Sequence, residues 1–240
     1  MFFLTLFVFY GIIPNMNTSY TIRDFQDLTE PQQAFLGAVH DDAKLRKTFF
    51  FTGGTLLKAR GIVPRFSNDI DLFTFPTVLP RDYLAALQAI HGLLNNLFNE
   101  VNVKETERGF LHAPSGMVIE AVHDTTSPID EFVLFSTLST SGLQDLAAHK
   151  ASALCSRDEV KDYIDIAFLT HRHGWYLRDL ELFAEKKFRL GTIREEHLMT
   201  ELLAKREALI VPPNIFLRDQ DRNVAFVAEQ VQRLLNNTTL

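Results

Sequence analysis

Cysteine is almost missing from this chain: Cys155 is the only one in 240 residues. A lone cysteine forms no internal disulfide and builds no zinc site, so a reducing, cytoplasmic setting is expected. Cys155 sits in a stretch of helical periodicity and reads as a packed core thiol rather than a nucleophile. Net positive charge is lacking too. The 24 Lys and Arg are outnumbered by 30 Asp and Glu, for a formal charge of −6. That argues against bulk attraction to nucleic acid, though a local basic patch stays possible. Long apolar runs are confined to the first thirteen residues, MFFLTLFVFYGII. This run is too short to span a bilayer as a helix, and no Lys or Arg occurs before Arg23, so the positive flank of a secretory signal is missing. Met16 follows Pro14-Asn15 and offers an alternative start. Residues 1–20 therefore read as an extension or an over-called start, and no membrane partner is expected. Repeats and low-complexity tracts are absent.

What remains is ordinary globular material. Hydrophobic residues make up 46% and charged residues 22%, enough apolar side chain for one sizeable core or two small ones. Phe is frequent, 21 residues spread along the chain, which suits core packing.

Residues 22–47 read as one or two helices. Thr48 to Thr52 is a β-branched and aromatic run closed by Gly53-Gly54, the pattern of a buried strand ending in a turn. A short helix is expected over Thr55–Gly61, a strand over Asp69–Phe75 and a helix over Arg81–Phe98. Val101–Glu105, Gly109–His112 and Met117–Val122 read as short strands. Beyond residue 140 the periodicity is helical: Gly142–Ser156, Glu159–Thr170, Leu177–Arg189, Thr192–Ile210 and about 222–236. The expected fold is α+β, with a small mixed sheet flanked by helices over 21–140 and an all-helical lobe over 141–240. A cleft between two such lobes is the natural place for a site.

Two features of TGGTLLKARGIVPRFSNDIDLF belong together chemically. Gly53-Gly54 ends a strand and opens a helix, where the backbone can approach a phosphate and helix-terminal amides are unpaired. Asp69 and Asp71 are two apart on a strand, so both carboxylates share a face while Ile70 and Leu72 turn to the core. Like charges side by side repel, and a hard divalent cation, Mg²⁺ or Mn²⁺, relieves that cost while also binding substrate phosphate. A solvated strand end bearing two exposed aspartates would read the same way. Arg65 and Ser67 precede the pair and could reach phosphate oxygens.

Gly53, Gly54, Thr55 and Leu57, followed by Arg65, Ser67, Asp69, Asp71, Leu72 and Phe73, resemble the first motif of the AbiEii/AbiGii-type nucleotidyltransferase toxins. Those proteins lie within the polymerase-beta superfamily. The family commonly has His before the arginine, where this chain has Pro64, a change expected to alter loop shape rather than chemistry.

In the helical half, Leu143, Leu146, Ala147, Ala151 and Leu154 form one apolar stripe, and Lys150 falls inside it. A lysine there must snorkel, pair, or line a cleft. The next helix is apolar nearly all round yet carries Asp162 and Asp165, three apart on one side. They should be paired or bind a cation, with Lys150, Arg157 and Lys161 as candidates; an internal salt bridge from Lys150 to either aspartate would suffice. Leu146, Lys150, Ala153, Leu154, Asp162 and Asp165 also fall on the second block that the same toxins carry, with Lys161 in place of the usual Arg.

The resemblance implies a catalytic set of Asp69, Asp71, Lys150, Asp162 and Asp165. It implies nucleotide contacts from Gly53, Gly54, Thr55, Arg65, Ser67 and Lys150. It also implies a third metal carboxylate, for which Glu120 is the candidate because it interrupts an apolar strand, with Asp124 as runner-up. The implied reaction moves NMP from an NTP to an RNA acceptor, typically tRNA, with the protein as toxin beside a cognate antitoxin. Residues 171–194 hold six basic side chains (Arg172, Arg178, Lys186, Lys187, Arg189, Arg194) against three acids, which could steer RNA or simply form a solvated face. No RNA-stacking motif is visible. Two other readings use the same residues: a silent nucleotide- or partner-binding domain, and a transferase acting on a small hydroxylated molecule such as an antibiotic.

Overall fold

The computed structural model describes residues 27–98, 110–112, 116–135, 138–189, 193–208 and 214–237. The readings made for residues 1–26 and for a strand over Val101–Glu105 lie outside them.

Two short helices lead into the sheet. Helix α1 (Glu30–Asp41) opens on a capping box between Thr29 and Gln32, with proline in the first turn. It stops at Asp42, whose carboxylate accepts from the amides of Lys44 and Leu45 and so starts α2 (Ala43–Thr48). Strand β1 (Phe49–Thr52) follows directly and is buried along its whole length, as a continuous apolar run in a central strand should be. Helix α3 (Gly53–Ala59) begins on the two glycines themselves, two residues earlier than the sequence suggests.

Strand β2 (Ile70–Thr74) alternates as its composition demands. Ile70, Leu72 and Thr74 are buried, whereas Asp71 and Phe73 are partly exposed on the other face. It pairs antiparallel with β1 and parallel with β4 (Val118–Val122). Helix α4 (Pro80–Leu97) connects β2 toward β3 (Phe110–His112), and β3 pairs antiparallel with β4. Strands β5 (Val133–Phe135) and β6 (Leu138–Thr140) were not legible in the sequence, and β6 adds parallel to β1. Among the described residues the sheet has six strands in the order β3-β4-β2-β1-β6-β5.

Five helices complete the chain: α5 (Leu143–Ser156), α6 (Val160–His173), α7 (Leu177–Phe188), α8 (Glu195–Ala208) and α9 (Gln220–Asn236). The α+β class expected from sequence is therefore the observed one. Helix α5 packs on α6 and α7, and α9 on α6 and α8. The sheet face that carries Phe73 meets these helices directly, because His149 of α5 lies edge-on between Phe73 and Phe188. The buried side chains of both halves, from Phe51, Leu72 and Ile119 to Leu146, Tyr163 and Ile166, form one continuous hydrophobic cluster. Burying this surface drives the packing of the helices onto the sheet, and removing one such leucine should cost about 2–5 kcal/mol.

Candidate active site

Three segments converge where the β1–α3 turn, the loop before β2 and helices α5 and α6 meet. Gly53 adopts φ +79°, a conformation that side chains resist. A Cβ there would fall 2.7 Å from Asp71 Cβ and closer still to its carboxylate. A Cβ on Gly54 would press against the Arg65 guanidinium, 3.4 Å from its Cζ. The two glycines are thus required by side chains approaching across the turn, with no ligand needed to explain them.

The loop carrying Ser67 and Asp69 is held at both of these residues. The Thr55 hydroxyl donates to the Asp69 carbonyl and lies 2.7 Å from the Ser67 hydroxyl. The Ser67 carbonyl accepts from Gln32 Nε2 and from Lys58 Nζ, both at 2.9 Å. Lys58 also donates to Gln32 Oε1 at 3.2 Å, and burial lowers its pKa. Neither Gln32 nor Lys58 stands out in the sequence. The one signal is that Lys58 lies in a seven-residue helix which is otherwise almost wholly apolar.

On β2, Asp71 stands in register with Glu120 of the parallel strand β4. Burial, then the nearby carboxylates of Glu120 and Asp69, push Asp71 up to about 7 against the pull of Lys150. Asp69, with its side chain 42% exposed, lies 3.6 Å from Lys161 Nζ. Among the described residues no group of three His, Cys, Asp or Glu side chains closes into an ion cage. The donor chemistry nevertheless suits a hard divalent cation, because a carboxylate crowded by two others gains most from one. Asp69, Asp71 and Glu120 are the residues that would hold it.

Facing them, Lys150 is buried in the apolar stripe and paired rather than snorkelling. Its Nζ lies 3.0 Å from Asp162 Oδ1 and 2.8 Å from Asp165 Oδ2. Burial disfavours the ammonium, but Asp165 and Asp162 outweigh it and hold the lysine above its ordinary value. Burial would likewise raise both aspartates. Arg157 with Lys150 holds Asp162 low, and Arg65 with Lys150 holds Asp165 low. Arg157 grips Asp162 at 2.6 and 3.0 Å. The internal pairing weighed from the sequence is therefore present with both aspartates at once.

Arg65 is committed elsewhere than to a phosphate. Its guanidinium forks onto Asp165 at 2.6 and 2.7 Å and donates to the Phe66 carbonyl at 2.9 Å. With 3% of the residue exposed, it straps the β2 loop to α6. Asp124, the alternative third acid, is also engaged: it caps Thr126 and lies 3.5 Å from Lys187 Nζ, which pairs with Asp145 at 2.8 Å. Lys187 is thus buried in an ion pair, unlike the exposed Arg172, Arg178, Lys186, Arg189 and Arg194 of the same basic stretch.

Known proteins share this chain's sequence pattern. A family model described as "Nucleotidyl transferase AbiEii toxin, Type IV TA system" matches residues 34–236. An uncharacterized protein of Aquifex aeolicus (strain VF5) is 32% identical over 146 residues, covering 59% of this chain. The match spans 66% of that relative's length, just under two thirds. Two solved Helicobacter pylori structures are also similar. The crystal structure of JHP933 has a TM-score of 0.48 at 16% identity, covering 87% of this chain and 94% of its own. The second has a TM-score of 0.49 at 14% identity, covering 87% and 96%. Among the described residues, no helix is long and apolar enough to cross a membrane.

Proposed function

The chain belongs to the AbiEii nucleotidyl transferase toxin family, and from that premise we propose that it transfers a nucleoside monophosphate from an NTP to an RNA, with tRNA as the acceptor. In this reading it acts in the cytoplasm as the toxin of a toxin–antitoxin pair, and a cognate antitoxin protein is its partner. The acceptor hydroxyl bonds to the α-phosphorus as the bond to the β-phosphate oxygen breaks. Pyrophosphate leaves, and the hydroxyl proton passes to a base.

One observation carries the reading: Asp71, in register with Glu120 and crowded by it and Asp69, also feels the ammonium of Lys150. Opposed acidic and basic groups of this kind suit a metal–triphosphate, whose cation meets the acids and whose phosphates meet the lysine. Mg²⁺ (or Mn²⁺), when bound, would supply charge neutralisation at the phosphates. Lys150 offers positive charge to the triphosphate, and Asp162 and Asp165 keep it charged and aimed. In this reading the Ser67 hydroxyl, held by Thr55, and the Gly54 and Thr55 backbone at the start of α3 supply nucleotide contacts. Arg65 acts as a positioning residue through Asp165.

The test is incubation with each α-labelled NTP, total tRNA and Mg²⁺, followed by a denaturing gel. Label in tRNA, dependent on one or a few NTPs and lost with chelator, is the expected result. Label found only in small molecules would redirect the acceptor, and no label in any product would contradict the reading.

A further inference from the structure

Phe66 breaks the rule that the rest of its loop obeys. Arg65 before it is 3% exposed, yet Phe66 is 52% exposed. Looseness does not explain this. The Phe66 amide donates to the Ile215 carbonyl at 2.9 Å, and its carbonyl accepts from Arg65 Nη1 at 2.9 Å. Arg65 itself forms a β-bridge with Phe216, and Leu217 N donates to Pro64 O at 3.0 Å. The next residue, Ser67, is fixed through its carbonyl by Gln32 and Lys58. A large apolar ring is thus held in solvent by a hydrogen-bonded backbone, three residues from Asp69.

The surroundings supply the second half of the chemistry. Arg65 ties this loop to α6, whose first turn carries Lys161, 32% exposed and 3.6 Å from Asp69. Arg157, just before α6, is 42% exposed. Both are already paired, Lys161 with Glu159 at 2.9 Å and Arg157 with Asp162 at 2.6 Å, so they stand as fixed charges on the element to which the loop is tied. An exposed aromatic face is how proteins hold unpaired nucleotides, because stacking serves any base while cations elsewhere on the surface track the phosphates. Phe66 is not buried in the core, and among the described residues no ring contact is made with it.

We propose that Phe66 is a stacking platform for a nucleobase on the loop that carries Asp69. The proposal rests on the transferase reading and adds the residue that receives a base. That base belongs either to the incoming NTP or to the terminal nucleotide of the acceptor RNA, and the ring chemistry is the same for both.

Phe66→Trp places a fluorophore on the platform, and the only other tryptophan, Trp175, is present in the wild-type control. The two proteins are titrated with each NTP in Mg²⁺, and separately with a single-stranded RNA oligonucleotide. Saturable quenching specific to Phe66→Trp is expected; quenching by NTP identifies the donor base, and quenching by RNA the acceptor base. Phe66→Ala should then weaken binding of that same ligand about 5- to 100-fold, as loss of one base stack implies. No specific quenching by either ligand, with Phe66→Ala binding both within twofold of wild type, overturns the platform. These are binding measurements, so they separate the two ideas. Quenching without label transfer keeps the platform and sinks the transferase; transfer and binding unaffected in Phe66→Ala sink the platform alone.

Discussion

Gly53 and Asp71 are in contact across the turn, and the contact tolerates no Cβ: one added at residue 53 would lie 2.7 Å from Asp71 Cβ. The start of α3 and the acidic face of β2 are thereby fixed against each other by the absence of a side chain. Gly53→Ala adds this clash to the strain of φ +79°. A loss of about 1–3 kcal/mol in urea denaturation is expected, together with a fall in nucleotidyl transfer of more than tenfold. Full activity in Gly53→Ala would show that the Asp71 position is unimportant.

Arg65 and Asp165 form a buried two-pronged ion pair between the loop before β2 and α6. Removing either partner strands the other, so Arg65→Ala or Asp165→Asn should each cost about 3–5 kcal/mol. The double variant should cost much less than the sum of the two. Arg65→Lys cannot reproduce the fork and should behave more like Arg65→Ala than like wild type. Denaturant midpoints of wild type and the four variants settle this, and strict additivity would refute the coupling.

Lys187 looks like its basic neighbours in the sequence and differs from them in the structure. Lys187→Met leaves Asp145 and Asp124 buried beside an apolar group and should destabilise by about 3 kcal/mol. Lys186→Met, at an exposed position, should change stability by less than about 0.5 kcal/mol. If RNA follows the basic stretch, Lys186→Met should also weaken its binding and reduce the salt dependence. Equal stability losses in the two variants would mean that the buried pair contributes nothing.

His149 gives the chain a distinct response to mild acid. Burial, and then the nearby Lys187, lower its pKa from 6.5 to about 4. Below pH 6.5 the unfolded chain takes up a proton that the folded His149 resists, so the His149 contribution to stability should fall as pH drops from 6.5 to 4. Asp71, raised to about 7, contributes in the opposite sense over the same range, and the comparison with His149→Gln separates the two. The complete loss is roughly 2–3 kcal/mol, discounted because the ring is partly exposed. The depressed Asp162 and Asp165 act later: their stabilisation is present above 3.8 and is lost as pH falls through their lower folded values. His149→Gln should flatten the first slope and leave the second. An unchanged slope between pH 6.5 and 4.5 would exclude His149 as its source.

Much of this arrangement was legible from residue patterns. Alternation put Asp71 on the face of β2 opposite Ile70 and Leu72, although the strand begins at Ile70 and leaves Asp69 in the loop before it. Helical spacing put Lys150, Asp162 and Asp165 where they could meet. Both are local geometric consequences of strand and helix periods. What pattern could not show was long-range commitment. Arg65 meets Asp165 from a hundred residues away, and Lys58 and Gln32 hold Ser67 through a backbone carbonyl that no side-chain pattern reports. Strands β5 and β6 were missed because three-residue strands are too short to display alternation, and β6 exists through its pairing with β1. The basic stretch over 171–194 gave no hint that Lys187 turns inward, since burial of one lysine depends on acids contributed by other elements.

The central claim is that the acid face of β2 performs nucleotidyl transfer, and Asp71→Asn tests it most directly. The variant is compared with wild type for transfer of α-label from NTP to tRNA in Mg²⁺, with circular dichroism confirming the fold. Loss of transfer by a factor of about 10³ or more in a folded protein is the predicted result. Transfer at the wild-type rate by folded Asp71→Asn would contradict the account.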